Sequence, residues 1–338
     1  MIPRSQEIQQ PDRWQQQLAA AVSEPRQLLS LLNLNPDAFA ISDEANRQFR
    51  LRVPHSFVQR MRCGDSRDPL LRQVLPIDDE NRIQSGYSMD PLEESAAMPV
   101  PGLLHKYQGR VLLTVTGACA IHCRYCFRRH FPYDEANPVS NDWQQALAYI
   151  HAHSDITEVI LSGGDPLSLS DCKLAKLVKR LEAIPHIKRL RIHTRLPVVL
   201  PDRINSSLVE WLSATSLQKV VVLHINHINE IDASVCRATQ ALSATGATLL
   251  NQSVLLKGVN DSVDALLALS ERLFEMGTLP YYLHQLDPVQ GTAHFSVDDK
   301  VAVSMIGKLS NCLPGYLVPK LVRELAGSGS KTPLHQIL

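Results

Sequence analysis

Residues 111–127 read VLLTVTGACAIHCRYCF, an apolar and β-branched run that leads directly into three closely spaced cysteines. The run has the composition of a buried strand. Cys119, Cys123 and Cys126 form a CxxxCxxC pattern, which can bind three irons of a 4Fe-4S cluster and leave the fourth iron without a protein ligand. A vacant coordination position is where a metal site binds a reacting group. This stretch therefore predicts a strand that ends at a reactive iron-sulfur cluster.

A zinc site is the alternative interpretation of the same cysteines. His122 and His130 lie nearby, and thiolates with histidine form tetrahedral zinc centres. Structural zinc sites more often combine a CxxC with a second distant pair or with HxxxH, which favours the iron-sulfur interpretation. Single buried cysteines most often act as small apolar residues, so no role is assigned to the four others. These are Cys63, Cys172, Cys236 and Cys312.

The composition indicates a large core and small-molecule ligands. The chain has 338 residues and 44% apolar content, which is compatible with one large α/β domain and an appendage. Its 34 basic residues balance 34 acidic ones, so we expect no nucleic-acid or membrane partner. Residues 1–13 are polar, and no stretch approaches the ~18 apolar residues that a membrane helix needs. The odd number of cysteines suits a reducing compartment, so we expect a cytoplasmic protein.

Beyond residue 103 the sequence alternates short β-branched runs with longer amphipathic segments, a pattern typical of parallel strands joined by helices. The predicted strands span residues 111–116, 158–161, 190–194, 219–225, 248–256 and 279–286. The predicted helices span residues 143–153, 170–184, 206–214, 233–244, 262–276 and 297–313. Six such units predict a curved, partly closed α/β barrel whose ligands bind at the carboxyl ends of the strands.

The N-terminal part is predicted to be a small helical region with a connecting strap. Apolar residues recur at helical spacing within residues 14–32, and Pro36 and Pro54 interrupt the segment after it. Residues 76–101 are polar and contain prolines, so we expect a strap there rather than core. We assign residues 1–95 to the helical region with its strap, and residues 96–338 to the barrel.

Polar residues come directly after several of the predicted strands. Residues 161–167 read LSGGDPL, and this order of residues is by itself typical of a tight turn. At the end of a strand next to the cysteines, the glycines would let the backbone approach a ligand closely. Residues 193–195 and 251–253 offer hydrogen-bonding groups that suit a ribose or a carboxylate, and equally suit a buried polar network.

Together these motifs resemble the radical S-adenosylmethionine (radical SAM) superfamily. Tyr125, an aromatic residue just before the third cysteine, completes the superfamily's cysteine motif. Residues 161–167 resemble the segment that meets the methionine amino group of S-adenosylmethionine. The resemblance implies a partial (β/α)6 radical SAM barrel that binds a 4Fe-4S cluster and S-adenosylmethionine, with the three cysteines as the cluster ligands.

Within that superfamily the sequence resembles the lysine 2,3-aminomutase family. Residues 324–334 read ELAGSGSKTPL, which alone would indicate a solvated tail. Here they look like the family's attachment site for pyridoxal phosphate, with Lys331 as the catalytic lysine. Residues 191–201 and 251–261 also resemble the family, and the likeness covers most of the chain from Leu104 onward.

The family resemblance implies roles for further residues. Arg128 matches the arginine that pairs with the substrate carboxylate, a task suited to a planar fork of donors. Asp287 and Glu324 match the acids that receive the distal ammonium of lysine and would repel an acidic side chain. The implied cofactor-binding residues are Lys331, Arg110, Lys106, Tyr125, Ser162, Gly163, Gly164, Asp165, His193 and Gln252.

Three features depart from the commoner pattern of the family. Glu324 is longer by one methylene than the expected aspartate, and Lys106 stands where arginine is more frequent. Lysine acts as a point charge and not as a fork, which alters the expected phosphate contact. The chain stops soon after Lys331, as in short bacterial members that make (R)-β-lysine for attachment to elongation factor P.

The resemblance implies an isomerase that moves the amino group of L-lysine from C2 to C3. Implied partners are L-lysine, an electron donor such as a flavodoxin or ferredoxin, and the ligase that attaches β-lysine to elongation factor P. Two alternatives stay open. A glutamate or arginine 2,3-aminomutase would keep every cofactor feature, and a non-enzymatic interaction module stabilised by zinc would make Lys331 a tail residue.

Overall fold

The protein is described by a computed structural model that covers residues 13–133 and 143–337. Within these residues one nine-stranded mixed sheet has its strands in chain order. The strands are β1 (Leu103–Tyr107), β2 (Arg110–Thr116), β3 (Glu158–Gly163), β4 (Arg189–Thr194), β5 (Gln218–His224), β6 (Thr248–Val254), β7 (Leu279–His284), β8 (Lys320–Arg323) and β9 (Thr332–Pro333). Strands β2 to β8 are parallel, and β1 and β9 pair antiparallel at the two edges.

Helices connect the parallel strands. The α-helices of the described residues are α1 (Arg13–Ala19), α2 (Pro25–Leu31), α3 (Asp43–Gln48), α4 (His55–Val58), α5 (Pro69–Arg72), α6 (Gln144–Ala152), α7 (Asp171–Glu182), α8 (Leu196–Val199), α9 (Ser206–Ala214), α10 (Ala233–Ala244), α11 (Val263–Glu275) and α12 (Asp299–Cys312). Each predicted strand and each predicted helix of the six β/α units is present, with ends shifted by a few residues. The α/β class and the partial barrel are therefore confirmed.

The helices result from amphipathic spacing and from capping residues. In α7 the buried residues Leu174, Leu177, Val178 and Leu181 recur at helical spacing, so that one stripe of the helix faces the core. The side chains of the N-cap residues of α9 to α12 accept hydrogen bonds from backbone N–H groups in the first turn. These caps fix where each helix begins after its preceding loop. The N-cap residues are Asn205, Asp232, Ser262 and Asp298.

The sequence interpretation missed three strands and a break in the first helix. Strands β1, β8 and β9 have five, four and two residues, which are too short to show a clear alternation. The predicted helical stretch 14–32 is two helices, α1 and α2, because Pro25 can begin a helix but disfavours helical geometry before it. Between them Val22 exchanges backbone hydrogen bonds with Val53, at 2.8 and 2.9 Å.

The strap contributes more to the interior than its polarity suggested. Glu80, Leu92 and Glu94 are 5%, 4% and 3% exposed, so the expectation that residues 76–101 lie outside the core is wrong for these three. The reason is that Glu80 and Glu94 form ion pairs with buried arginines of the cysteine loop. The proposed division at residues 95 and 96 stays a prediction. Among the described residues, no helix combines the length and the apolar character needed to cross a membrane.

Candidate active site

A cavity of about 410 Å³ opens at the carboxyl ends of the parallel strands. It is lined by the cysteine loop after β2, by strand ends from β3 to β7, and by the segment that carries Lys331. Every residue that the family resemblance assigned to the site lines this cavity, whereas His122, His130, Asn251 and Ser253 do not. Loops far apart in sequence meet there because parallel strands end at one edge of the sheet.

The register of the parallel strands brings several polar side chains side by side. His224 of β5 pairs with Gln252 of β6, and Gln252 pairs with Tyr282 of β7. His224, Tyr282 and His284 line the cavity although the sequence interpretation did not select them. Each is a polar residue at the carboxyl end of a strand, the same signal that selected His193, so this signal could have identified them.

The three cysteine thiols lie close enough to affect one another. Burial raises the pKa of Cys119 well above its ordinary value, and the neighbouring Cys126, Asp165 and Cys123 add to that effect. Burial and the neighbouring Cys123 raise the pKa of Cys126 to about 11. Thiolates so grouped are stable only when cations offset their charge, which bound iron would do. The Arg195 guanidinium donates a hydrogen bond to Cys123 Sγ over 2.7 Å.

The arrangement of the thiols fits a cluster better than a single ion. In the part of the chain that the structure describes, no group of three or more His, Cys, Asp or Glu residues is placed to hold one metal ion. A 4Fe-4S cluster does not require such convergence, because each cysteine binds a different iron. Of the two histidines considered as zinc ligands, His122 is in hydrogen-bond contact with the Arg50 carbonyl through Nδ1 over 2.6 Å, and His130 with the Gln290 carbonyl through Nε2 over 3.2 Å.

Gly163 and Gly164 allow β3 to pack against the cysteine loop. A Cβ atom on Gly163 would lie 2.6 Å from the Thr116 oxygen, and one on Gly164 would lie 2.4 Å from the Ala118 oxygen. Gly163 also has a φ of +115°, which side-chain-bearing residues rarely adopt. The sequence interpretation expected these glycines to admit a ligand. In the structure the close approach is between two protein segments.

Asp165 uses its carboxylate to join the ends of β3 and β4. Oδ1 accepts hydrogen bonds from the Leu167 N–H and the Thr194 hydroxyl, at 3.1 and 2.7 Å. Oδ2 accepts from the backbone N–H groups of Arg195 and Leu196, at 2.7 and 3.0 Å. With four protein donors satisfied, the Asp165 side chain holds the loop in shape beside the cysteines.

A buried polar cluster supports the cysteine loop from behind. We call this cluster the hub, and it consists of Gln73, Tyr125, Arg195, Asn226 and Glu230. Arg195 donates to the Tyr125 hydroxyl at 2.8 Å, to Gln73 Oε1 at 2.7 Å and to Glu230 Oε2 at 2.9 Å. Asn226 Nδ2 donates to the Tyr125 hydroxyl at 2.7 Å. Burial opposes ionisation of Glu230, but Arg195 outweighs it and holds the pKa of Glu230 below its ordinary value.

A second set of charges runs along the cavity wall, and we call it the ion chain. It consists of Arg128, Glu94, Lys106, Glu324 and Lys331, in that order. Glu94 accepts from Arg128 Nε at 2.7 Å and from Arg128 Nη2 at 2.8 Å, and it accepts from Lys106 at 3.1 Å. Glu324 accepts from Lys106 at 2.9 Å and from Lys331 at 2.9 Å. The longer side chain of Glu324 thus lies between two lysines.

Burial and neighbouring charges shift the pKa values of the two predicted ammonium-binding acids in opposite directions. Burial would raise the pKa of Glu324, but Lys331 and Lys106 hold it well below its ordinary value. Burial, with the negative charge of Glu324, raises the pKa of Asp287 to about 7. One acid is therefore fully ionised at neutral pH and the other only partly. A cation that enters the cavity would favour ionisation of Asp287.

Two groups in the cavity have hydrogen-bonding capacity that their protein surroundings leave unused. Among the described residues Arg110 has no carboxylate partner, and its guanidinium lies 4.6 Å from the centre of the Tyr107 ring. His193 Nε2 is buried without a hydrogen-bond partner in the same part of the chain, and burial lowers the pKa of His193 well below its ordinary value. A free guanidinium near Lys331 fits an anionic cofactor such as an aldehyde phosphate.

The comparison with known families defines the class of protein. The family model of the Radical SAM superfamily matches residues 113–269. A solved structure of anSMEcpe with bound AdoMet and a Cp18Cys peptide is similar to the chain, with 13% identity and a TM-score of 0.46 over 60% of this chain and 58% of that one. The family match agrees with the partial barrel and with the position of the cysteine loop.

Full-length relatives narrow the class to a family. The L-lysine 2,3-aminomutase of Haemophilus influenzae is 52% identical, covering 98% of this chain and 98% of its own. That of Escherichia coli is 53% identical, covering 95% and 94%, and that of Clostridium subterminale is 34% identical, covering 95% and 77%. The chain therefore belongs to the lysine 2,3-aminomutase family, whose members are radical SAM isomerases. The non-enzymatic interaction module is therefore wrong.

Sequence reasoning did not find the acidic partner of Arg128. Glu94 lies in a polar stretch without periodicity, where an acidic residue usually faces solvent. Only the fold brings it to Arg128, which lies two residues after the last cysteine. Arg191 is a second lining residue that was not assigned a role, and it pairs with Glu158 over 2.6 Å.

Proposed function

We propose that this protein is a pyridoxal phosphate-dependent L-lysine 2,3-aminomutase that converts L-α-lysine into (R)-β-lysine. The observation that carries the proposal is that the cysteine loop and Lys331 line one cavity. A radical generated at one end of this cavity can then reach a substrate bound at the other end without crossing solvent. The near full-length likeness to L-lysine 2,3-aminomutases supports the choice of substrate.

The residues of the cavity divide among three bound groups. Cys119, Cys123 and Cys126 would hold the cluster. Lys331 would attach pyridoxal phosphate, with Arg110 and Lys106 near its phosphate. When bound, the reduced cluster and S-adenosylmethionine supply a carbon radical that removes a hydrogen atom, and pyridoxal phosphate supplies the conjugation that lets the amino group move. The remaining cofactor contacts are assigned to Tyr125, Ser162, Gly163, Gly164, Asp165, His193 and Gln252.

The charged groups that line the cavity suit a lysine zwitterion with a distal ammonium. Arg128 offers donors to a carboxylate, and Asp287 with Glu324 offers acceptors to a cation. A glutamate side chain would place a carboxylate beside these two acids, which like-charge repulsion disfavours. Arginine carries a larger cation, which makes it the second candidate substrate.

The protein's own contribution is to position the substrate and to exclude water. Fixing both ends of lysine limits its motion, and a misplacement of about 1 Å in such a reaction costs on the order of 100-fold in rate. His193 and Asp287 are partly buried in the cavity, and a bound substrate and cofactors would displace the remaining water from the reacting atoms.

A direct test is chiral analysis of the amino acids formed by the reconstituted protein. The protein is loaded with iron, sulfide and pyridoxal phosphate, reduced without oxygen, and given S-adenosylmethionine with lysine, arginine or glutamate. We expect (R)-β-lysine from lysine and no β-amino acid from glutamate. A β-amino acid formed faster from arginine or glutamate would overturn the proposed substrate. Formation of (S)-β-lysine would overturn the proposed stereochemistry of the product.

The proposed partners are those that the same reaction needs. A flavodoxin or ferredoxin would supply the electron, and the ligase that modifies elongation factor P would consume β-lysine. An oxygen-sensitive cluster needs a reducing compartment, which supports a location in the cytoplasm. Transfer of labelled lysine to elongation factor P, only when this protein and the ligase are both present, would test the link. Equal labelling without this protein would contradict it.

A further inference from the structure

Glu94 occupies a central place in the cavity although it belongs to the strap. Only 3% of its surface is exposed, and it forms ion pairs with both Arg128 and Lys106. We propose that Glu94 is a positioning residue that orients Arg128 toward the carboxylate of the amino acid substrate. This inference rests on the proposed function, because it deepens the role given there to Arg128.

The way Glu94 contacts Arg128 leaves a defined part of the guanidinium available. A guanidinium has five N–H donors. Glu94 takes one on Nε and one on Nη2, and the Ser162 hydroxyl accepts one from Nη1 at 3.3 Å. One N–H therefore remains on Nη1 and one on Nη2. These two donors are available to a substrate carboxylate.

The same carboxylate also fixes the next cation along the cavity wall. Glu94 Oε1 accepts from Lys106 at 3.1 Å as well as from Arg128 Nη2. Lys106 then contacts Glu324, which contacts Lys331. Glu94 thus links the residue assigned to the substrate carboxylate with the residues assigned to the cofactor.

The five residues of the ion chain carry one more positive than negative charge, and the partly ionised Asp287 lies close enough for Glu324 and Lys331 to shift its pKa. Arg128, Lys106 and Lys331 carry three positive charges, and Glu94 and Glu324 carry two negative ones, which leaves a net charge of +1. A substrate carboxylate at Arg128 would neutralise this charge. Without Glu94, Arg128 would be a buried cation that lacks a carboxylate partner among the described residues, and its orientation would no longer be fixed.

The strap holds Glu94 in place through its own backbone. Glu94 begins a short 3-10 turn, Glu94–Ala97, and its N–H donates to Asp90 Oδ1 at 3.1 Å. The preceding Glu93 has a φ of 49°, in the left-handed region, and its side chain is exposed. Glu93 is therefore a matched control, since it has the same chemistry one position away but faces solvent.

The competing interpretation makes the opposite prediction. If Glu94 only occupied Arg128 until the substrate carboxylate displaced it, removal of its charge would strengthen lysine binding. If Glu94 positions Arg128, removal of its charge weakens lysine binding. The sign of the change in affinity distinguishes the two.

The test compares Glu94→Gln, Glu94→Asp and Glu93→Gln in the reconstituted protein. Lysine binding is measured by the change in pyridoxal absorbance without reductant or S-adenosylmethionine, so that no turnover is needed. We expect Glu94→Gln to raise the Kd of lysine about 10-fold or more, as loss of a hydrogen bond between charged groups does. The Kd of lysine for Glu94→Asp should lie between the values for Glu94→Gln and for the unchanged chain. The Kd for Glu93→Gln should equal that of the unchanged chain.

A substrate analogue without a carboxylate separates this inference from the proposed function. The affinity for 1,5-diaminopentane should be equal in the unchanged chain and in Glu94→Gln, with iron and pyridoxal contents also equal. Unchanged or tighter lysine binding in Glu94→Gln would overturn the inference. Failure of the unchanged chain to prefer lysine over 1,5-diaminopentane would instead overturn the role of Arg128. If Glu94→Gln does not fold, a Glu94→Asp protein that binds lysine normally would still overturn the inference.

Discussion

The hub behind the cysteines and the ion chain beside Lys331 are both buried networks of charges, yet their partners differ in kind. In the hub, Arg195 contacts Glu230, Gln73 and the Tyr125 hydroxyl, so that neutral and charged groups share one network, in which Arg195 Nε is a buried donor without a partner among the described residues. In the ion chain, acids and bases alternate and meet almost only one another.

This difference indicates which end of the cavity must change during the reaction. The cluster is a permanent part of the protein, and the hub holds its loop with protein contacts that no ligand replaces. A cofactor and a substrate enter at the other end. A substrate carboxylate can bind the N–H groups of Arg128 that Glu94 and Ser162 leave free, without displacing Glu94, and an ammonium or a phosphate can pair with the other charged groups of the cavity.

The largest expected effect is that of Lys331→Ala. It should abolish turnover and the pyridoxal absorbance, because it removes the proposed attachment site of the cofactor. The cluster should stay intact, because the hub that supports the cysteine loop is unaltered. The absorbance after reconstitution measures bound pyridoxal, and iron analysis measures the cluster. The control is Lys320→Ala, an exposed lysine in β8. A borohydride-stable pyridoxal adduct on Lys331→Ala would place the attachment site on another lysine.

The next largest effect should come from the hub. Glu230→Ala leaves the buried Arg195 without its carboxylate, and loss of one partner of a buried ion pair costs about 3 to 5 kcal/mol of folding stability. Urea unfolding measures this cost, with Glu210→Ala, an exposed position, as the control. Equal stability of the two variants would show that the hub is not the rigid end of the cavity.

Asp287→Asn should weaken lysine binding on the order of 100-fold, since it removes one charge of a buried pair. In the unchanged chain, whose Asp287 has a pKa of about 7, lysine affinity should fall as the pH drops below that value and the carboxyl becomes protonated. The variant should lack this component of the pH dependence. Parallel pH profiles for the two proteins would argue against contact between Asp287 and the ammonium.

The smallest expected effect concerns stability without ligands. Because the pKa of Asp287 is raised to about 7 in the folded chain, ionisation destabilises that state progressively between the ordinary value near ~4 and pH 7. Asp287→Asn has no such charge, so it should raise Tm by about 2 to 4 °C at pH 8. The gain should vanish near pH 4. A gain that is constant with pH would indicate a different cause.

The six β/α units were predictable because short β-branched runs alternate with longer amphipathic segments along the sequence. The candidate residues were predictable from motifs. Glu94 was not, because an acid in a polar stretch carries no local signal of burial. The packing role of Gly163 and Gly164 was also not predictable, since it depends on the Thr116 carbonyl at the end of β2 and on the Ala118 carbonyl of the cysteine loop.

The central claim is that radical generation and lysine binding share one cavity. The most direct measurement is mass analysis of the deoxyadenosine formed when the reduced, reconstituted protein acts on lysine deuterated at C3. We predict that deuterium appears in deoxyadenosine and that β-lysine forms in the same reaction. Deoxyadenosine that stays unlabelled while β-lysine forms would contradict the claim.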